Sequence, residues 1–304
     1  GGFNEVKNKT NAFPPNCQTD ATGPINEARV LGDIKRYMKL AFPRHQEPDA
    51  VIAALVGLNA NGTPIAAGQN MAGGMAASEA IVFWLSGFSQ DPKFPISGDG
   101  GPAYDIPSLN NAQNYTLDPV ESRKWIFPCK VERLVPRNTT DNYFDESKHR
   151  FFEYPVTING QTRFRRINFW QYVPRKLDQP YMYFDTSRYT PVPQPASNVD
   201  PLDPPAATAI SGLGDTSSDP FQVYAFMKKS EGTNASSLWQ FINPDKFQII
   251  HCGINDKYDQ DTFRDKISNR STNPLLFPAG PYTGDISETI VNFTTETKLE
   301  DAQK

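Results

Sequence analysis

A mixed α+β fold with an antiparallel sheet is what the sequence predicts, on three observations. Helical periodicity is confined to the first third of the chain. Strand-like patterning dominates the remainder and includes a hairpin signal at Asn159-Gly160. Strand and helix signals do not alternate as they do in βαβ units. The resulting plan is a single unit, 1–304, with a helical part over 1–97, an antiparallel sheet part over 121–252, and an acidic loop with a closing strand over 253–304.

The first helix is expected over 24–42. Pro24 suits a first helical position, and Ile25, Ala28, Leu31, Ile34, Met38 and Ala41 recur at spacings of three or four before Pro43 ends the run. A shorter apolar run, Ala50–Leu58, follows Asp49 as a candidate N-cap. Small and polar residues over 59–74 read as a loop. Ala77, Ala80, Ile81, Trp84, Leu85 and Phe88 then form one stripe of a second helix over 76–88, a core face rather than a cofactor box.

The Gly/Pro/Asn-rich stretch 98–120 reads as loop, and Trp125–Val135 as a first strand region broken at Pro128. Phe151–Ile158 and Thr162–Val173 flank Asn159-Gly160 as a hairpin with a type I′ turn. Arg163, Arg165 and Arg166 read as the solvated side of that second strand. Tyr181–Phe184, Phe221–Met227, Phe247–Cys252 and Ile290–Phe293 are further strand candidates, and Thr190–Pro205 an extended surface connection. Proline supplies 27 of 304 residues, above the usual level of about 5%. Long loops with modest regular structure follow, because proline removes a backbone donor.

Composition excludes some classes of function. A net charge of −4 without a Lys/Arg stripe argues against nucleic-acid binding. No apolar run approaches the roughly 20 residues that span a bilayer. The chain opens at Gly1 with neither an initiator Met nor a signal-peptide pattern, which predicts a processed or truncated N-terminus. Three cysteines are too few for a disulfide scaffold. Either Cys17 pairs with Cys129, both beside Pro-containing turns, or all three are reduced thiols. Asn8, Asn61, Asn114, Asn138, Asn234, Asn269 and Asn292 begin Asn-x-Ser/Thr sites, glycosylation candidates in an exported chain.

Catalytic signatures are sparse. His45, His149 and His251 lie far apart, and His251 and Cys252, as neighbours on a strand, are expected to point to opposite faces and not to share a metal. There is no nucleophile elbow and no phosphate-binding loop. Acid pairs such as Asp145/Glu146 or Asp256/Asp259 are expected to be solvated rather than to form a glycosidase pair. The chain is therefore read as a non-enzyme. A carbohydrate-binding or adhesin module, with Trp125, Trp170 or Trp239 as stacking faces, is the alternative. The acidic run after Cys252 has the hard oxygen donors that calcium takes, without EF-hand spacing.

The stretch from Phe247 to Tyr258 resembles the segment after the sheet in major pseudopilins of type II secretion systems, especially the large planctomycete versions, whose strand reads F-Q-I-I-S-A-G before a D-G turn. Gly284-Asp285, Asn292-Phe293 and Leu299-Glu300-Asp301 match the family's closing elements in order. So do Phe13-Pro14-Pro15, Ala41-Phe42-Pro43-Arg44, Ser78-Glu79-Ala80, Val82-Phe83-Trp84-Leu85, Gly87-Phe88, Pro180–Asp185 and Asn243-Pro244, which spreads the resemblance over nearly the whole chain. The resemblance implies a type IV pilin-like head in the cell envelope or outside the cell, assembling into a filament or homo-oligomer, with other pilin-like subunits as further partners. It also implies calcium in the C-terminal loop, held by Asn255, Asp256, Asp285 and Glu288 with carbonyls near Gly253 and Ile254. Asn255-Asp256 replaces the family's D-G turn, which moves one carboxylate by one position. The family's hydrophobic N-terminal helix is not found in the sequence, so contacts between heads are the expected route to assembly.

Overall fold

In the computed structural model of the chain, the residues described are 2–17, 27–66, 69–110, 118–136, 150–188, 210–211, 222–223, 225–229, 239–256, 258, 277–278, 282, 284–295, 298 and 300–302. Four helices come first: α1 (Gly2–Thr10), α2 (Glu27–Ala41), α3 (Asp49–Leu55) and α4 (Ala77–Leu85). Strands follow as β1 (Ala103–Ile106), β2 (Leu134–Pro136), β3 (Phe151–Ile158), β4 (Gln161–Asn168), β5 (Trp170–Tyr172) and β6 (Met182–Phe184). The later ones are β7 (Ile210–Ser211), β8 (Gln222–Val223), β9 (Met227–Lys229), β10 (Trp239–Phe241), β11 (Gln248–His251) and β12 (Ile290–Val291). Among the described residues all pairings are antiparallel. The α+β class therefore stands, but not as one continuous sheet. Among the described residues the strands form two three-stranded sheets, β1-β4-β3 and β12-β11-β6, and the two-stranded pairs β10-β9, β2-β5 and β7-β8.

Helix α2 buries Val30, Ile34, Tyr37 and Met38. Of the expected stripe Ile34 and Met38 face the core, whereas Leu31 and Ala41 are half-buried, Ala28 is exposed, and Val30 and Tyr37 complete the buried face. All nine residues of α4 are buried, because it packs on β5 and β6 while α1 also lies against it. Its start is fixed by Glu79, whose Oε2 accepts the Ala76 N–H at 2.8 Å and Arg150 Nη1 at 3.0 Å. Arg150 Nη2 in turn donates to Gly74 O at 2.6 Å and ties down the loop before the helix. The β3–β4 hairpin turns through Asn159 and Gly160, both at positive φ (52° and 79°) as a type I′ turn requires.

Several expectations are corrected. Asp49 opens α3 but is not its cap; Pro48 occupies that position without a side-chain bond. The Gly/Pro-rich stretch 98–120 contains β1, which pairs with β4. Residues Trp125–Lys130 are not strand. The N–H groups of Ile126 and Phe127 donate to Leu85 O at 3.0 and 3.3 Å and so complete the end of α4, and pairing begins only at Leu134. Arg165 and Arg166 are buried, at 1% and 0% exposure. Arg165 donates to Asp105 Oδ1 (2.9 Å) and Ala103 O (2.7 Å). Arg166, on the opposite face, donates to Glu153 Oε1 (3.0 Å) and lies over the Phe151 ring. Buried guanidinium groups persist only when paired in this way. Of the three arginines, only Arg163 is partly solvated. The segment Thr190–Pro205 lies outside the described residues.

Helix α1 carries no strong periodic signal in the sequence and is held by packing. Phe3 stacks on Tyr183 of β6 with centroids 4.0 Å apart and planes 5° from parallel, and Phe247 leans on the same ring pair. Beyond it the buried segment Phe13–Cys17 crosses the core. Prolines 14 and 15 bring no N–H groups, and the carbonyls are taken by side chains: Arg188 Nη2 donates to Phe13 O (3.1 Å), the Tyr183 hydroxyl to Pro14 O (2.7 Å) and Trp84 Nε1 to Pro15 O (2.8 Å). Arg188 also pairs with Asp185, which is fully buried and hydrogen-bonded to Ser187 at 2.5 Å. Burial holds the Asp185 carboxyl up at about 6, against the pull of Arg188.

No disulfide forms between Cys17 and Cys129, and none of the three cysteines is bridged. Each lies in a different cluster: Cys17 with Val30 and Trp84, Cys129 with Val82, Val120 and Leu134, Cys252 with Phe226 and Tyr258. Burial pushes the thiol of Cys129 up to about 12 and that of Cys17 further.

Candidate functional site

Strand β11 sets the geometry of the C-terminal corner. It pairs with β6 on one side (Gln248 opposite Phe184) and with β12 on the other (Ile250 opposite Val291). Gln248, fully buried, fixes it from below: Oε1 accepts Phe226 N–H at 2.8 Å, and Nε2 donates to Phe226 O at 2.8 Å and Ile242 O at 2.9 Å. The chain then leaves the strand at Cys252 and turns at Gly253, φ +88°. A Cβ there would collide with the carbonyl of Glu288, so the turn is pressed against the one-turn helix Gly284–Glu288. Asp256 closes the turn with φ +53°, a left-handed conformation that Asp tolerates.

Side chains from this turn hold the backbone of 178–180. Asp256 Oδ2 accepts Asp178 N–H at 2.7 Å and Oδ1 accepts Gln179 N–H at 2.9 Å. The Tyr258 hydroxyl lies 2.7 Å from Pro180 O and 3.1 Å from Ile250 O. His251 Nδ1 accepts the Gly253 N–H at 3.0 Å, so the ring proton sits on Nε2 and is donated to Gln179 O at 3.0 Å. Burial pushes the His251 pKa down and keeps the ring neutral.

The expected calcium ligands are distributed differently from the resemblance. Asp256 faces the two amides, and Glu288 Oε1 accepts Lys298 Nζ at 2.7 Å. The backbone of Asp285 lies in the one-turn helix; its side chain is outside the described set, and Asn255 is exposed in the turn. Asp256 converges instead with His251 and Cys252, whose ligand atoms and one of its own oxygens all lie within 4.8 Å of one another. That overturns the expectation that His251 and Cys252 cannot share an ion. The strand ends at His251, so the alternation of strand faces does not reach Cys252. Glu288 is not part of this group.

Of the Asn-x-Ser/Thr sites, Asn8, Asn61 and Asn292 are exposed and the other four lie outside the described residues. Trp125 and Trp170 are half-buried, their indole N–H groups donated to Val120 O (3.0 Å) and Asp118 Oδ2 (2.8 Å). Asp145, Glu146, Asp259 and His149 fall outside the described residues.

Sequence reasoning missed one buried polar cluster. Glu47 accepts the N–H groups of Ile96 (2.5 Å) and Ser97 (2.8 Å), and the Ser97 hydroxyl bridges Glu47 (2.5 Å) and Tyr154 (2.7 Å). Ser97 and Tyr154 are shut from solvent, and the cluster joins 96–97 to β3. No sequence signal marks it, because its members are some fifty residues apart. Among the described residues no helix is long and apolar enough to cross a membrane. No family model, curated protein or solved structure matches the chain.

Proposed function

We propose that the chain is the head of a pilin-like structural subunit, related to the major pseudopilins, that is exported to the cell envelope or exterior and assembles into a filament or homo-oligomer without catalysing a reaction. The observation that carries this reading is the joint arrangement of α1 and the C-terminal corner. A helix at one end of the chain lies against β6 through Phe3 and Tyr183. At the other end the chain returns as β12 beside β11 and is fastened through Asp256, Tyr258 and His251. Both attachments are thereby made to the same sheet, β12-β11-β6. The motifs behind the resemblance, including Trp84, Tyr183, Phe184 and Gln248, supply its buried interior.

Electron microscopy of native material, with light scattering on the purified chain in the presence of divalent ions, tests the proposal. Filaments or ordered oligomers are expected. A chain that stays monomeric at high concentration refutes it. The adhesin reading has less support, since Trp125 and Trp170 are packed against the Val82–Leu134 cluster rather than presented as open stacking faces.

A further inference from the structure

We infer that His251, Cys252 and Asp256 form a site for a divalent cation of borderline softness, zinc above all, that fastens the C-terminal turn to 178–180. The convergence of the three donors within 4.8 Å carries the inference. Ligands around a tetrahedral ion with bonds of about 2.0–2.3 Å lie closer together than that, so binding draws the corner inward by roughly an ångström. An imidazole nitrogen, a thiolate and a carboxylate form a zinc set, whereas calcium takes oxygen alone.

Three further features suit the ion. His251 donates Nε2–H to the Gln179 carbonyl, the outer contact that metal-bound histidines usually make, so its acceptor lone pair is on Nδ1, where the Gly253 N–H occupies it until an ion displaces that bond. Two anionic ligands and one neutral ring balance a double positive charge, so no net charge is buried beside Tyr258 and Phe226. The donors also stand on a turn that Gly253 locks against Glu288. In the family pattern F-Q-I-I-S-A-G, the positions of His251 and Cys252 hold Ser and Ala, so two of the three donors are this chain's own. On binding, the Cys252 S–H bond breaks, its proton passes to solvent and a sulfur–metal bond forms. His251 Nδ1 exchanges the Gly253 N–H for the ion, one Asp256 oxygen turns from its amide, and water takes the fourth position.

The inference rests on the donor geometry and not on the proposed assembly, and the tests keep the two apart. The full chain is stripped with chelator, titrated with zinc or calcium alone, dialysed and assayed for metal content and melting temperature. One zinc per chain and a melting temperature that rises with zinc but not calcium are expected. Cobalt in place of zinc is expected to give a sulfur-to-metal charge-transfer band that is absent in Cys252→Ala, a variant that keeps an apolar group in the cluster. Zinc lost on dialysis, with no change in melting temperature of the wild-type chain, overturns the site whatever the variants do. Equal zinc retention by wild type and Cys252→Ala also overturns it. Filaments that form in chelator while zinc fails to bind refute this site alone, and zinc binding by a permanent monomer refutes the assembly alone.

Discussion

Replacing Gln248 tests how firmly the C-terminal corner is anchored. Its amide satisfies the Phe226 N–H, the Phe226 carbonyl and the Ile242 carbonyl, all by bonds of 2.8–2.9 Å in a fully buried setting. In Gln248→Leu the volume is nearly kept, but the Phe226 N–H and the Ile242 carbonyl lose this partner. The Phe226 carbonyl retains the Ile242 N–H at 3.0 Å. An orphaned buried group costs about 1–3 kcal/mol, so two give a loss of about 2–6 kcal/mol, a large part of the roughly 5–15 kcal/mol that holds a typical domain. Gln248→Glu sharpens the test. Its carboxylate can accept the Phe226 N–H but faces two carbonyl oxygens, so the variant falls below Gln248→Leu at neutral pH. Acidification, which protonates the carboxyl and restores one donor, recovers part of the loss. Urea unfolding followed by tryptophan fluorescence, in chelator, measures both variants. A Leu variant within 1 kcal/mol of wild type, or a Glu variant indifferent to pH, would show that the amide does not hold β11 in place.

Three other outcomes are expected. Gly253→Ala should cost about 2–4 kcal/mol, since its Cβ meets the Glu288 carbonyl and its φ of +88° strains any L side chain; an unfolding midpoint equal to wild type would contradict the turn geometry. Asp185 binds its proton more tightly folded than unfolded, with a carboxyl at about 6 against an ordinary 3.8. Its contribution to stability is therefore full below about pH 4 and is lost as pH rises through 6. The stability of wild type relative to Asp185→Asn should fall across that window by at most about 1.4 kcal/mol per pH unit, and a flat difference would refute the burial argument. Thiol labelling at pH 8 should leave Cys17 and Cys129 unmodified in the folded chain and reach both in denaturant, because burial keeps the two thiols protonated; rapid native labelling of Cys17 would place it outside the core.

What the sequence disclosed and what it hid follow from the range of the interactions. Helices α2 and α4 were legible because their apolar residues repeat with the helical period, and the β3–β4 hairpin because Asn159-Gly160 favours a type I′ turn locally. Helix α1 was not, since only Phe3 and Val6 mark its face and the ring of Tyr183, 180 residues away, completes it. Arg165 and Arg166 were misread for the same reason: nothing near them in sequence announces Asp105, or that both faces of β4 are covered. The C-terminal corner was half legible. A turn at Asn255-Asp256 could be read from residue types, but the gathering of His251 and Cys252 around Asp256 depends on where β11 stops.

The path of Phe13–Cys17 through the core has a mechanical consequence. Three successive carbonyls are gripped by Arg188, Tyr183 and Trp84, side chains from the β6 region and α4. Tension applied at the N-terminal end of α1 therefore does not peel one strand off a sheet bond by bond. It loads three anchors at once, together with the Phe3–Tyr183 stack, and passes directly into the centre of the body. A fold tied together this way resists extraction as a unit until its core gives way.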